Sequence, residues 1–474
     1  MKEKANNRTL IKNTGIIAIG NISTKMINFL LLPMYTALIS TKDYGTIDLL
    51  STYSTLLMAV VSLQLFQAAF RFVAVERENS DNIRHVLSTM FFLSFVAALI
   101  YTILFVASSP FIHMQQKWYL LFQVLANIYL MLITNSVRGI GDNTTYAFAN
   151  FLSAAVTLIL NVLFLVVFHW NAMTMLVAYI VGPIIGGTEA FIYSKLWRYI
   201  SIKFIDFSKM KLYLQYAVPL VPNELSWWVV HASDRTIISA TLGVAANGLI
   251  AVASKFSSIY TTVFSVFNTA WTEQCVLHFE EEGGKEYLSR TMVTVTRLFT
   301  SMTIGLIAVM PFVFPIMVNS KYQGAYGLIP VYLIAVYFNV LIGLISPIYL
   351  IHNETGKVAK STFGAAVINI VVDILLVKFI GAYAAPVSSV AAYLVISFWR
   401  LWDIKKRYMK IPFTKVFVLN TLVTLIIVLV GYCAKKIVIQ SICLLIAILY
   451  AVITNREILN SILQKLMNRK TIEK

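Results

Sequence analysis

Charge is what this chain has least of. Only 12% of its 474 residues are Asp, Glu, Lys or Arg, about half the share a soluble domain uses to cover its surface. Cysteine is scarce as well. Cys275, Cys433 and Cys443 lie in or beside apolar runs, share no metal-ligand spacing and form no disulfide framework. The six histidines are scattered, so neither a metal nor a cofactor is expected. No G-x-x-x-x-G-K-[ST] string is present, which argues against direct ATP coupling. No link between apolar runs exceeds about 20 residues, which leaves no room for a soluble catalytic domain. Short alternating segments of the β-barrel kind are absent too.

Acid is the scarcer sign of charge: 21 Asp and Glu against 38 Lys and Arg, for a net +17. That balance suggests nucleic acid until the positions are read. The cations sit in the short links between apolar runs, which is the positive-inside pattern of a membrane protein, and no nucleic-acid partner is expected.

What the chain has in quantity is apolar length: 59% of its residues are hydrophobic and its mean hydropathy is +0.77. Runs of about 20 residues recur, each long enough to cross a hydrocarbon core of roughly 30 Å, and in lipid they must be helices to satisfy their own backbone. The spans are expected near 14–38, 45–70, 86–108, 118–137, 146–168, 172–194, 212–232, 246–271, 291–318, 326–350, 361–380, 382–402, 413–433 and 437–454. The fold class is therefore all-α integral membrane, with about 14 transmembrane helices. Met1 to Lys12 is basic and polar, and the first run follows without an A-x-A site, so a retained first helix is expected.

With the N-terminus inside, the outer links hold seven cations: Lys42, Lys117, Arg235, Lys321, Lys378, Lys435 and Lys436. Lys25, Lys255 and Arg297 fall within spans, and the other 28 of the 38 lie inside. Both termini are thus expected in the cytoplasm. The richest inner links, Lys195 to Lys211 and Arg400 to Lys415, follow the sixth and twelfth spans. They divide the chain into residues 1–200, 201–405 and 406–474, the last carrying two extra helices and a basic tail. A shift of 203 positions also lays the second span on the eighth, matching Gly45 with Gly248, Ile47 with Ile250, Ser51 with Ser254 and Ser54 with Ser257. Two six-helix lobes related by an internal repeat are a transporter architecture.

An ionisable residue at mid-membrane costs roughly 2.5–3.5 kcal/mol on insertion scales, so such residues are candidates for a wet interior. Lys25 shares a helix face with Asn21 and Asn28. Lys255 lies in a polar stripe with Gly248, Ser258, Thr262 and Ser265. Arg297 shares its face with Arg290, Thr294 and Ser301. The seventh span carries Glu224, Trp228 and Arg235 on one face and a broken backbone at Pro219 and Pro222. Asp48, Glu189, Asp234 and Asp373 complete the acids, Glu189 near the inner end of the sixth span and read as structural, Asp373 beside Asn369. The plain alternative is that each snorkels to the headgroups, caps a helix end or forms a structural salt bridge. Trp227, Trp228, Tyr260, Phe267 and Trp271 are placed to stack on sugar rings or, more plainly, to anchor at the interface. Gly182 and Gly186 read as a helix-packing pair.

The opening carries Asn13-Thr14, Gly20-Asn21, Leu31-Leu32-Pro33-Met34-Tyr35-Thr36 and Asp43-Tyr44-Gly45, and the second span ends in Ala68-Ala69-Phe70-Arg71-Phe72. Midway come Tyr216-Ala217-Val218-Pro219-Leu220-Val221-Pro222, Trp227-Trp228 and Ser233-Asp234-Arg235. In this order the motifs resemble the polysaccharide-transporter family, the O-antigen and repeat-unit flippases. These share a superfamily with multidrug and toxin extrusion (MATE) exporters and the lipid II flippase. The resemblance runs to about residue 400, and Glu224 is an acid outside the family's pattern. It implies a MATE-like fold of two six-helix bundles plus two helices, and no enzyme activity. It also implies a substrate: an oligosaccharide on undecaprenyl pyrophosphate, for O-antigen, lipopolysaccharide, capsule or exopolysaccharide, moved across a bacterial inner membrane by alternating access.

On that reading Lys25, Lys255, Arg297, Arg71, Arg235, Asn21, Asn28 and Trp228 bind substrate. Asp48, Glu224 or Asp373 carries a coupling H+ or Na+, and the polymerase machinery of the pathway is a candidate partner. Two other readings stay open. A MATE-type drug exporter would favour an acidic or apolar cavity, and a membrane-embedded polymerase or ligase would need a long outer loop.

Overall fold

The computed structural model of the chain describes residues 29–112, 115–352, 354–411, 413–460 and 464. Lys25, Asn21 and Asn28 lie outside the described residues. Every regular element among them is helical. We number the α-helices α1 (Leu32–Leu38), α2 (Thr41–Val61), α3 (Leu65–Val75), α4 (Ser80–Ser108), α5 (Lys117–Ile140), α6 (Asn143–Val162), α7 (Met175–Tyr193) and α8 (Phe207–Ala217). There follow α9 (Leu220–Leu242), α10 (Val244–His278), α11 (Gly284–Met317), α12 (Ile329–Ile351), α13 (Thr355–Ile380), α14 (Ala384–Arg407), α15 (Lys415–Cys433) and α16 (Ile437–Thr454).

Among the described residues, eleven stretches are helices long and apolar enough to cross a membrane, so the chain is a multi-pass membrane protein. One stretch, Gly356–Arg407, holds both α13 and α14. The helix α9 spans 23 residues but is too polar to qualify, and most of the first expected span precedes the described residues.

Two expected spans depart from the helices in ways that bear on the site. The span 45–70 is two helices. Between them Leu63 and Gln64 adopt left-handed φ of 46° and 57°, a region side chains seldom occupy. No Gly or Pro marks this break. Polar side chains absorb the freed backbone groups: Ser62 Oγ accepts the Gln64 N–H at 3.2 Å, and the Gln64 amide donates to Ala59 O at 3.2 Å. The seventh span runs past its expected end at 232 to Leu242, and it stops only at Gly243, whose φ of 89° suits glycine. Asp234 and Arg235 therefore lie inside α9 and do not cap its end. The expected break at the prolines is present, with α8 ending at Ala217 and α9 opening on Leu220.

Packing density divides the chain into two compact units, residues 1–251 and 252–474. This criterion is separate from the basic links that set the expected divisions at 200 and 405. In the first unit, the small residues of α3 (Ala68, Ala69), α7 (Ala190) and α8 (Ala217) pack with Leu87, Met90, Ile133 and Val137 in one apolar core. Helices α6 and α7 meet at the expected glycine pair: a Cβ on Gly182 would lie 2.0 Å from Thr157 Oγ1, and one on Gly186 2.5 Å from Ala149 O. In the second unit α14 packs on both α12 and α13, and α11 packs on α15 and α16.

The 203-residue repeat has a structural counterpart. Helices α2 and α10 open at Thr41 and Val244, 203 positions apart. Their first turns cross reciprocally. A Cβ on Gly45 would lie 2.0 Å from Val244 O, and one on Gly248 would lie 2.0 Å from Thr41 O. Each glycine thus faces the residue that corresponds to its own neighbour, as in a two-fold contact.

Candidate functional site

The close crossing at Gly45 and Gly248 brings a charge cluster together. Helix α2 contributes Asp48 and α9 contributes Asp234 and Arg235. Arg235 Nε donates to Asp48 Oδ2 at 2.7 Å, and its Nη1 stands 3.6 Å from Asp234 Oδ1. Asn247, fully buried in the first turn of α10, donates to Gly45 O at 2.9 Å and reaches Asp48 Oδ2 at 3.4 Å. One turn further along α2, Thr52 O accepts the indole N–H of Trp228 at 3.0 Å. One guanidinium thus sits between two carboxylates. The side chains of Arg235 and Asp48 keep 15% and 19% of their exposure, so the pair is not sealed in the core.

Of the expected substrate-binding residues in this unit, Arg235 and Trp228 come together here with the coupling candidate Asp48. Arg71 stands elsewhere, exposed on α3, with its guanidinium 4.3 Å from the Tyr216 ring centre. The coupling candidate Glu224 is half-buried on the first turns of α9.

In the second unit the expected residues are spread. Lys255 is half-buried on α10, and the hydroxyls of its stripe turn back on their own helix: Ser258 Oγ donates to Lys255 O at 2.7 Å and Thr262 Oγ1 to Ser258 O at 2.7 Å. The polar face of α11 meets the last helices. Arg297 lies 5.9 Å from the Phe417 ring of α15, and Ser301 Oγ accepts from Asn455 at 2.8 Å. Asp373 is fully buried on α13, one turn beyond Asn369, which donates to Ser388 Oγ at 3.1 Å. Tyr260 and Trp271 are core residues: Trp271 donates to Leu344 O at 2.9 Å and Tyr260 to Phe299 O at 3.0 Å. No ring face is left there for a sugar.

The second unit also holds a network that the sequence reading missed. Arg400 on α14 is 1% exposed. It makes five hydrogen bonds, to Ser346 of α12 and to Ser361, Thr362 and Val358 O of α13, at 2.6–3.2 Å. One turn on, the buried Asp403 accepts from Tyr349 at 3.0 Å, pairs with Arg407 at 2.9 Å and faces Lys357 at 3.8 Å. Lys357 continues to Glu354 at 2.5 Å, and Glu354 also takes the Tyr408 hydroxyl. The signal was present as a lone acid, Asp403, spaced three and four residues from Arg400 and Arg407 in the basic link. Among the described residues no cluster of His, Cys, Asp and Glu is arranged to hold a metal ion.

With this geometry in view, the comparisons with known proteins decide the family. A sequence profile for the family described as polysaccharide biosynthesis protein matches residues 10–272, more than half of the chain. The chain belongs to this family. No curated protein sequence matches it. Among solved structures it resembles the lipid II flippase MurJ in an inward closed conformation. There the TM-score is 0.72 at 15% identity, covering 94% of this chain and 99% of that one. It also resembles an inward-facing multidrug resistance MATE transporter of the MOP superfamily, with TM-score 0.59 at 12% identity over 82% of this chain and 98% of that one. A MOP-superfamily transporter from Pyrococcus furiosus aligns with TM-score 0.52 at 12% identity over 83% and 96%. At these identities the likeness establishes the fold, a MATE- and MurJ-like all-α architecture. The solved neighbours are themselves described as transporters and a flippase.

Proposed function

We propose that this protein is a flippase. It moves an oligosaccharide repeat unit on undecaprenyl pyrophosphate from the cytoplasmic to the outer leaflet of a bacterial inner membrane, by alternating access and with both termini in the cytoplasm. The observation that carries the reading is the family match over residues 10–272, taken with the fold of a lipid II flippase over 94% of the chain. The pyrophosphate is strongly anionic, and cations at Lys25, Arg71, Lys255 and Arg297 suit it better than they suit a cationic drug. O-antigen, capsule and exopolysaccharide units fit this chemistry equally, because the carrier is the same in each.

The Asp48–Arg235 pair gives the cycle its moving part. On the expected topology it lies at the outer ends of α2 and α9, and on the expected lobes, 1–200 and 201–405, it ties one lobe to the other. A proton or Na+ at Asp48 removes one of the two carboxylate partners of Arg235 and loosens that end for the substrate. Coupling at Glu224 or Asp373 would leave this pair intact throughout.

The test uses purified protein in liposomes with an undecaprenyl-pyrophosphate oligosaccharide in one leaflet, followed into the other. Movement that needs the wild type and falls at least tenfold in folded Arg235→Gln and Asp48→Asn supports the reading. Movement unchanged in both removes the pair from the mechanism. No movement of any repeat unit, with export of an organic cation instead, replaces the flippase with a drug exporter.

A further inference from the structure

A cleft of about 560 Å³ in the second unit, between the start of α11 and the end of α14, is used by nothing described above. Its lining is almost all of one sign: Lys285 and Arg290 on α11, Lys405, Lys406 and Arg407 on α14, and Lys410 beyond it, against the single carboxylate of Glu286. Three of the six are engaged. Arg407 pairs with Asp403, Lys406 lies over the Trp402 ring at 5.3 Å and Lys285 over the Phe279 ring at 5.1 Å. Arg290, Lys405 and Lys410 make no ion pair with any described residue. The cleft is built, since Ser289 Oγ donates to Lys410 O at 2.7 Å and fixes the chain after α14 against α11.

A second feature says what occupies it. Along α14 an exposed apolar strip of Val395, Phe398, Trp399 and Trp402 runs directly into Lys405 and Lys406. Trp at the end of an apolar strip marks the headgroup level of a bilayer, and unneutralised cations at that level attract anionic headgroups. A free anion would use the cations and leave the strip unexplained. A lipid uses both, with its phosphate among the cations and its acyl chains along the strip.

We propose that this cleft binds the phosphodiester headgroup of an anionic glycerophospholipid from the surrounding leaflet. The site is separate from the translocated substrate, and the side of the membrane it faces follows from the topology proposed above.

The test uses the full-length protein in nanodiscs of phosphatidylcholine, with and without phosphatidylglycerol. Amine-reactive labelling of the wild type is read by mass spectrometry at Lys405 and Lys410, with Lys195 and Lys209 as controls. Phosphatidylglycerol is expected to slow labelling at the cleft by roughly fivefold or more and to leave the controls within twofold. In detergent, phosphatidylglycerol adducts should fall roughly tenfold in a combined Arg290→Gln, Lys405→Gln, Lys410→Gln variant and persist in Lys195→Gln, Lys203→Gln, Lys209→Gln. Equal protection of cleft and control lysines overturns the proposal. Protection by glycerol 3-phosphate alone also overturns it, in favour of a free-anion site. Stronger protection by a polyprenyl diphosphate than by phosphatidylglycerol overturns it in favour of substrate capture. Because the labelling arm uses the wild type, a variant that fails to fold does not decide the outcome.

Discussion

Two arginines in this protein are held in opposite ways. Arg235 on α9 is shared between the carboxylates of Asp48 on α2 and Asp234 on its own helix, and its side chain stays partly exposed. Arg400 is enclosed by the hydroxyls of Ser346, Ser361 and Thr362 and a backbone carbonyl, and water does not reach it. The difference lies in what releases each. A carboxylate partner can be cancelled by one bound cation, which is what the proposed cycle asks of the Asp48–Arg235 pair. Hydroxyl partners do not titrate, so Arg400 is fixed at any pH the cell meets. One arrangement suits a moving contact and the other a permanent one.

The largest effect should come from the fixed site. Arg400→Ala is expected to cost about 3–5 kcal/mol in unfolding experiments in detergent, from the cavity and the hydroxyls left unpaired. Arg400→Lys should recover little of it, because an ammonium cannot fill a planar fork. A Lys variant as stable as the wild type would break the contrast.

At the reversible site the order of single changes is the informative result. Arg235→Ala leaves Asp48 and Asp234 without their shared cation and should cost about 2–3 kcal/mol. Asp48→Ala leaves Arg235 beside Asp234 and should cost about 1 kcal/mol. Equal costs would mean that Asp234 contributes nothing.

Gly248→Ala tests the crossing itself. Its methyl would meet Thr41 O, and forcing the two helix ends apart should cost about 1–3 kcal/mol. If α2 and α10 meet at the outer end, an engineered cysteine on α2 should then become more accessible from outside. Trp228→Phe, which removes one hydrogen bond to Thr52 O, should cost about 1 kcal/mol in stability and leave the unfolding cooperative.

The smallest effect is on pH. Hydrogen bonds from Lys357 and then Tyr408 hold the Glu354 carboxyl below its usual range, and the Ser208 hydroxyl does the same for Asp206. A depressed carboxyl contributes stability above its unfolded pKa of about 4.3 for Glu, and that contribution is lost as pH falls through the folded value. Stability should be flat above about pH 5 and decline below about pH 4, with a shallower decline in Glu354→Gln.

Apolar runs made the helices legible, since a span of sufficient length has few alternatives in lipid. Polar positions were harder to read. Asp234 and Arg235 looked like residues near a span end because their partner Asp48 lies far away in sequence, and once paired they no longer stop the helix. Gly45 and Gly248 stood out as matched positions, but the match did not reveal that they touch. The break at Leu63–Gln64 has no Gly or Pro to announce it, and its stabilisers, Ser62 and Gln64, pass for ordinary polar residues. Arg400 and Asp403 were counted with a basic link, because the six cations from Arg400 to Lys415 obscured the one acid that organises them. The Asp48–Arg235 cluster was half visible through its charges, whereas the buried Arg400 network became visible only when α12, α13 and α14 were placed together.

The short joint between α13 and α14, residues Gly381–Tyr383, bears on biogenesis. Burying an arginine on a lone helix leaves its donors without partners, which is costly. Most of the groups that satisfy Arg400 are on α13, which is synthesised immediately before it. The two helices can therefore leave the insertion machinery as a preformed hairpin, with the guanidinium already matched to Ser361 and Thr362. Lengthening that joint, with every contact of the finished protein unchanged, would tax assembly and spare the assembled molecule.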